Sequence, residues 1–170
     1  MSFIAGSFLV ARSSLRDPNF SQAVVLIMAH NEEGAYGLVV NRPMPAKKLP
    51  FPVFRGGPCP SPGLILLHGH ADWTEAEPDQ EEDSAPEVAQ GVFVGDEHCL
   101  RRAAEAEPGE ALRVRVFNGY SGWGPDQLEG ELAAGAWAVV PATGELLFDT
   151  PAEDLWERLA PPAIPQFSVN

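Results

Sequence analysis

Hydrophobic positions along the chain fall in short runs separated by turn residues, a pattern of strands more than of a helical bundle. Residues 8–10, 24–29 and 36–41 are rich in Val, Leu and Ile, and the last two runs flank Asn31-Glu32-Glu33-Gly34. This arrangement predicts a β-hairpin. Residues 64–68 and 92–94 predict two more strands. Residues 112–117 alternate, with Leu112, Val114 and Val116 on one face and Arg113 and Arg115 on the other, as a half-buried strand does. Residues 137–140 predict the last strand. Between residues 43 and 62 lie seven prolines. Each removes a ladder N–H, so this segment reads as a long, stiff connection, neither helix interior nor central strand.

Helix signals appear later in the chain. Asp96 is placed to cap a segment rich in Ala that Pro108-Gly109 would stop. Pro125 suits a first helical position, Leu128 and Leu132 share a face, and Gly135 is a C-terminal stop. Thr150-Pro151-Ala152-Glu153 has the form of a capping box, with Leu155, Trp156 and Leu159 as the buried stripe behind it.

Length and composition agree with one domain. The chain has 170 residues, enough to bury roughly 70% of its unfolded surface without disulfide or metal. Its 16 glycines and 17 prolines favour short elements joined by many turns. Val25, Ile27, Leu38, Val40, Leu66, Val114, Val116 and Trp137 are the expected core. Residues 3–11 are apolar but no basic residue precedes them, so they read as a first strand and not as a signal segment. No run approaches the roughly 20 apolar residues of a membrane span. A soluble, cytoplasmic protein is expected.

Charge narrows the partners. The formal net charge is -13, which opposes approach of a polyanion, and the scattered basic residues leave no local footprint for nucleic acid. Part of the excess lies at residues 72–90, a stretch with no Lys or Arg that reads as a mobile acidic loop. Cys59 and Cys99 are too few for a disulfide framework and read as reduced thiols.

Several constellations bear on chemistry. Gly119-Tyr120-Ser121-Gly122-Trp123-Gly124 lies between a strand and a helix, where hydrolases place a nucleophilic serine, but Trp123 stands where the elbow needs glycine. The same loop can hold an anion on its backbone N–H groups or serve as a structural turn. Tyr120 and Trp123 give it apolar area with a polar handle, as recognition surfaces have. His68 and His70, with His98 and Cys99 elsewhere, lack metal-ligand spacing, so no metal is expected. His30, ending an apolar strand, can act as a base or satisfy turn groups. Asn41-Arg42-Pro43 offers a cation, and Gly56-Gly57-Pro58 demands unusual backbone geometry.

Asp17-Pro18-Asn19-Phe20, His30-Asn31-Glu32-Glu33-Gly34-Ala35, Gly37-Leu38-Val39-Val40-Asn41-Arg42-Pro43 and Gly56-Gly57-Pro58 together resemble the YqgE/AlgH family of bacterial proteins. Gly119-Tyr120-Ser121-Gly122-Trp123-Gly124, Gln127-Leu128-Glu129, Glu131-Leu132, Trp137 and Leu147-Phe148-Asp149-Thr150-Pro151 extend the likeness, in order, to about Leu159. Tyr36, and Pro125-Asp126, depart from the family pattern at loops. The resemblance implies an α+β fold of coiled, mixed or antiparallel sheets flanked by a few helices. It brings no established catalytic residues and no cofactor. The AlgH name implies a role in transcriptional regulation, which the charge turns toward an indirect one.

Three functions follow in order of preference. The first is an interaction or small-ligand-binding module, with His30, Asn41, Arg42, Gly56, Gly57, Tyr120, Ser121 and Trp123 as its surface and an unidentified protein or small molecule as partner. The second is an enzyme acting on a small anionic substrate through His30 and the 118–124 loop. The third is a transcriptional regulator. Convergence of His30, Arg42, Gly57, Tyr120 and Trp123 in one pocket would favour the enzyme.

Overall fold

The structure, a computed structural model, describes residues 3–15, 17–45, 51–74, 87–106 and 112–160. Its first sheet is antiparallel throughout. Strand β2 (Val24–Asn31) and β3 (Gly34–Val39) form the expected hairpin, β1 (Ser7–Ala11) lies on the other side of β2, and β10 (Ser121–Trp123) and β11 (Trp137–Pro141) are the edges. The second sheet runs β4 (Pro43–Met44), β5 (Val53–Arg55), β9 (Val114–Asn118), β6 (Ile65–His68), β8 (Val92–Gly95) and β7 (Glu87–Ala89). Among the described residues only its β5–β9 pair is parallel, so this sheet is mixed.

Three apolar layers hold these sheets. Phe8, Val10, Leu26 and Leu38 of the first sheet meet Phe54, Leu67 and Phe117 of the second in the central layer. On the opposite face of the first sheet, Leu9, Val25, Ile27 and Val39 pack with Leu128 of helix α2 (Gln127–Ala133). On the opposite face of the second, Val53, Leu66, Val114 and Val116 pack with Cys99 and Ala103 of α1 (Glu97–Ala104). Strands covered on both sides need apolar residues at consecutive positions, which is why β1 reads Phe-Leu-Val-Ala and not as an alternation. All eight expected core residues are buried. The architecture is α+β, and among the described residues no helix is long and apolar enough to cross a membrane.

Several expectations change. The proline-rich segment contains two strands, β4 and β5, and β5 lies inside the second sheet. Its three residues Val53-Phe54-Arg55 carry every ladder N–H, because the prolines flank them, and Pro43 sits on the edge strand where its missing donor costs least. The 118–124 loop contains β10. Helix α2 starts at Gln127, two residues after Pro125, because Asp126 adopts a left-handed conformation at φ 62°.

Thr150 forms no capping bond. The six residues before it make an unforeseen helix, α3 (Gly144–Asp149), whose start is capped by Thr143 accepting the Leu146 N–H, and α4 (Ala152–Leu159) follows directly. Within the span expected as a loop, Ala71–Thr74 form a 3-10 turn and Glu87–Ala89 form β7. The rest of that span, 75–86, lies outside the described residues, as does Pro108-Gly109.

Arg113 and Arg115 do not simply face water. Phe148 of α3 covers them, with the two guanidinium carbons 5.5 and 5.8 Å from its ring centre. Arg115 donates to the Phe148 carbonyl at 3.0 Å near the C-terminal end of α3, where a cation is favoured. Burial lowers the affinity of its guanidinium for the proton, against the opposing pull of Asp149.

Candidate functional site

The end of strand β3 meets the second sheet at Gly56, and this crossing gathers four of the eight candidate residues. The Gly56 carbonyl accepts both the Val39 N–H at 2.8 Å and the Ser121 hydroxyl at 3.1 Å. Cys59 and Tyr120 exchange backbone hydrogen bonds at 2.9 and 3.0 Å, and the Gly119 N–H donates to Ser61 Oγ at 2.9 Å. A Cβ on Gly56 would stand 2.3 Å from the Gly119 carbonyl oxygen, so the glycines serve close passage of two backbones. Ser121 is fully buried and its hydroxyl donates to the Gly56 carbonyl, so this structure presents it as a packed group and not as exposed surface.

Tyr120, just before β10, and Trp123, its last residue, belong to layers on opposite faces of the first sheet. Tyr120 packs at the central layer with its ring 5.2 Å from Tyr36, whose hydroxyl is held above its usual pKa by burial first and by Tyr120 second. Trp123 is 5% exposed and belongs to the layer under α2, stacked 5.9 Å from Phe20. The expected recognition ring is therefore mainly a core ring. One side of it reaches a shallow depression of about 230 Å³ shared with Asn31, Glu33 and Tyr36.

His30 also lies on the α2 side, and a register shift puts it there. Between Ile27 and Ala29 the pairing with β3 slips, so His30 opposes Ala35, whose neighbours are the α2 layer. Strict alternation from Val25 and Ile27 would have put Ala29 on that face. Nε2 of His30 sits 2.8 Å from Glu129 Oε1, and Nδ1 accepts the Ile4 N–H at 3.1 Å. The Ile4 bond assigns the ring proton of the neutral form to Nε2, donated to Glu129. Phe3 covers the ring edge at 5.0 Å.

Asn41 and Arg42 do different work. The Asn41 side chain accepts the Val24 N–H at 2.9 Å and donates to the Gln22 carbonyl at 2.9 Å, and Arg42 Nη2 donates to the Ser21 carbonyl. These bonds hold a turn in which Gln22 takes a left-handed φ of 58°, a conformation uncommon outside glycine. Beside the turn, Ser21, Gln22, Asn41 and Arg42 form one wall of a depression of about 180 Å³, and Ala152, Glu153, Trp156 and Glu157 of α4 form the other. The Trp156 indole is anchored by donation to the Ala11 carbonyl at 2.8 Å.

The two neighbouring histidines are absorbed by a stack. His70 lies 4.3 Å from the Trp73 ring and His68 5.6 Å from Phe93, while Arg102 caps Trp73 at 5.1 Å. His68 Nδ1 accepts the His70 N–H and His70 Nε2 accepts the Arg113 N–H. Burial, reinforced by the charge of His70, lowers the His68 pKa to about 4.

The eight candidate residues thus divide. Gly56, Gly57, Tyr120 and Ser121 form the crossing, Asn41 and Arg42 line the α4 depression, and His30 and Trp123 belong under α2. Partners missed in the sequence are Glu129 for His30, Glu131 for Trp123, and the α4 wall for Arg42. No local signal announces them, since His30 and Glu129 are 99 positions apart.

Comparison with known proteins agrees with this architecture. The sequence pattern of the AlgH-like family (DUF179) matches residues 8–163. A UPF0301 protein of Vibrio parahaemolyticus is 31% identical over 91% of this chain and 89% of its own length. Another, from Thioalkalivibrio sulfidiphilus, is 34% identical over 94% and 89%. The solution structure of the AlgH protein from Pseudomonas aeruginosa is similar with a TM-score of 0.67 at 29% identity, covering 92% of this chain and 87% of that one. A crystal structure from Corynebacterium diphtheriae shares the fold with a TM-score of 0.70 at 20% identity, over 94% and 86% of the two chains. The chain belongs to the AlgH-like family.

Proposed function

We propose that the chain is a binding module whose ligand or partner engages the depression between the Ser21-Gln22 turn and α4, and that it is not a catalyst. The observation that carries this reading is how the polar candidates are employed. Ser121 is buried on Gly56, both His30 nitrogens are engaged, and the Asn41 amide is spent on backbone, whereas Arg42 uses one nitrogen on Ser21 and keeps further donors beside an open depression. An enzyme built on His30 and the 118–124 loop loses support because Tyr120 and Trp123 face different layers. The net charge of -13 argues against direct contact with nucleic acid. We read the protein as cytoplasmic, with any regulatory influence passing through its ligand or partner.

Amide shift mapping tests this. Titration of the protein with the low-molecular-mass fraction and, separately, the protein fraction of a bacterial extract is expected to move resonances of Ser21, Gln22, Arg42, Glu153 and Glu157 in one of the two. Shifts centred on His30 and Glu129, or turnover of an added anionic ester lost in His30→Gln, would favour the enzyme instead.

A further inference from the structure

The depression between the turn and α4 carries charges of both signs. Arg42 brings a guanidinium from the connection between β3 and β4, and Glu153 and Glu157 bring two carboxylates one helical turn apart on α4. Among the described residues no ion pair joins Arg42 to either one. Like charges four apart on a helix repel weakly, and a cation between them would relieve that repulsion, although Glu153 also lies in the first turn of α4 where a carboxylate is favoured. On the opposite wall Arg42 is anchored through Nη2, which fixes the guanidinium and leaves its other N–H groups to donate. The strained Gln22 stands on the same rim, held there by Asn41, and strain of this kind persists where surrounding structure over-determines it.

We propose that this depression binds a small zwitterion, a free α-amino acid with a small side chain. Its carboxylate is taken by Arg42 and its ammonium by Glu153 and Glu157. The volume of about 180 Å³ is below the usual range for larger ligands and suits a molecule of that size. Charge selects the class further. A simple anion reaching Arg42 would meet two carboxylates and a net charge of -13, and a simple cation would leave the guanidinium unanswered. A ligand bearing both charges answers both walls, and the indole of Trp156, pinned by Ala11, supplies a rigid flank for its carbon atoms. The inference rests on the binding-module reading and names the ligand class for that site.

The test is titration of the full chain with three probes, L-alanine, N-acetyl-L-alanine and L-alaninamide, followed by amide shifts and calorimetry. L-Alanine is expected to bind and to move Ser21, Gln22, Arg42 and Glu157. Each blocked analogue is expected to bind about tenfold more weakly or worse, since each loses one charge-assisted contact. Arg42→Gln and Glu157→Gln are expected to weaken L-alanine by a similar factor. Because Arg42 also braces the turn, the exposed Glu157 gives the variant that keeps the fold, checked by an unchanged melting temperature. Equal binding of L-alanine and L-alaninamide would make this a cation site, and equal binding of N-acetyl-L-alanine an anion site; either overturns the proposal. If no probe binds but extract still shifts these residues, the zwitterion is wrong and the binding module stands. If neither shifts them, both fail.

Discussion

Gly57 carries its backbone at φ 155°, and a Cβ there would stand 2.2 Å from the Tyr120 carbonyl oxygen and 2.3 Å from Ser121 Oγ. Neither neighbour can withdraw, because Tyr120 is bonded to Cys59 and Ser121 is fully buried. Gly57→Ala is expected to cost roughly 2–3 kcal/mol in urea denaturation, as overpacking in a closed space does. Gly63→Ala, with nothing within 4 Å, should stay within about 0.5 kcal/mol of the parent. The sequence marked Gly56-Gly57 as a place of unusual geometry; it gave no sign of which backbone would pass there, because that is set more than sixty positions away. His68 teaches the same lesson in electrostatic form. Its pKa is lowered to about 4 in the folded chain from 6.5, so between these values the unfolded state binds the extra proton. Stability contributed by neutral His68 is full above about pH 6.5 and declines as pH falls toward 4. NMR titration of the His68 ring should show a midpoint near 4, and His68→Gln should flatten the fall in melting temperature across that window. A midpoint near 6.5 would mean that the stack with Trp73 and Phe93 leaves the ring wet.

Helix α2 is held to the first sheet by one carboxylate as well as by Leu128. Glu131 Oε1 accepts the indole N–H of Trp137 at 2.9 Å and that of Trp123 at 3.2 Å, while Oε2 lies 3.3 Å from Gln127 Nε2. Both indoles are nearly buried, so removing the acceptor strands two donors in an apolar layer. Glu131→Ala is expected to destabilise by about 2 kcal/mol in chemical denaturation, and Glu131→Gln, which keeps one carbonyl acceptor, by less. Equal losses in the two variants would show that the charge matters and not the acceptor. At this scale legibility followed length. Strands β1, β2, β3 and β6 were readable because several consecutive residues share one environment, and α1 because Asp96 does accept the Cys99 N–H. Strands β5 and β10, three residues each, and the six-residue α3 are too short to show a period. Neighbouring chain, not their own pattern, makes them regular.

The two sheets share their central layer with α3 and α4, and this should make them unfold together. Phe8 and Leu26 from the first sheet, Leu67 and Phe117 from the second, and Leu147, Phe148 and Leu155 from the helices are members of one cluster. Chain order reinforces the coupling. β11, late in the sequence, completes the sheet begun by β1, while the parallel partner of β5 is the distant β9. The second sheet, β4 to β9, is one continuous insertion between β3 and β10 of the first, so the first sheet closes only around it. Slowly exchanging amides in β1 and β2 are therefore expected to open with the same free energy as those in β6 and β9, by global unfolding. Leu67→Ala, which empties space in the shared layer at a cost of about 2–5 kcal/mol, tests this directly. It should lower protection by the same amount in both sheets, although Leu67 belongs to only one. A drop confined to β6, β8 and β9, with β1 and β2 unchanged, would show that the first sheet survives on the layer beneath α2 alone.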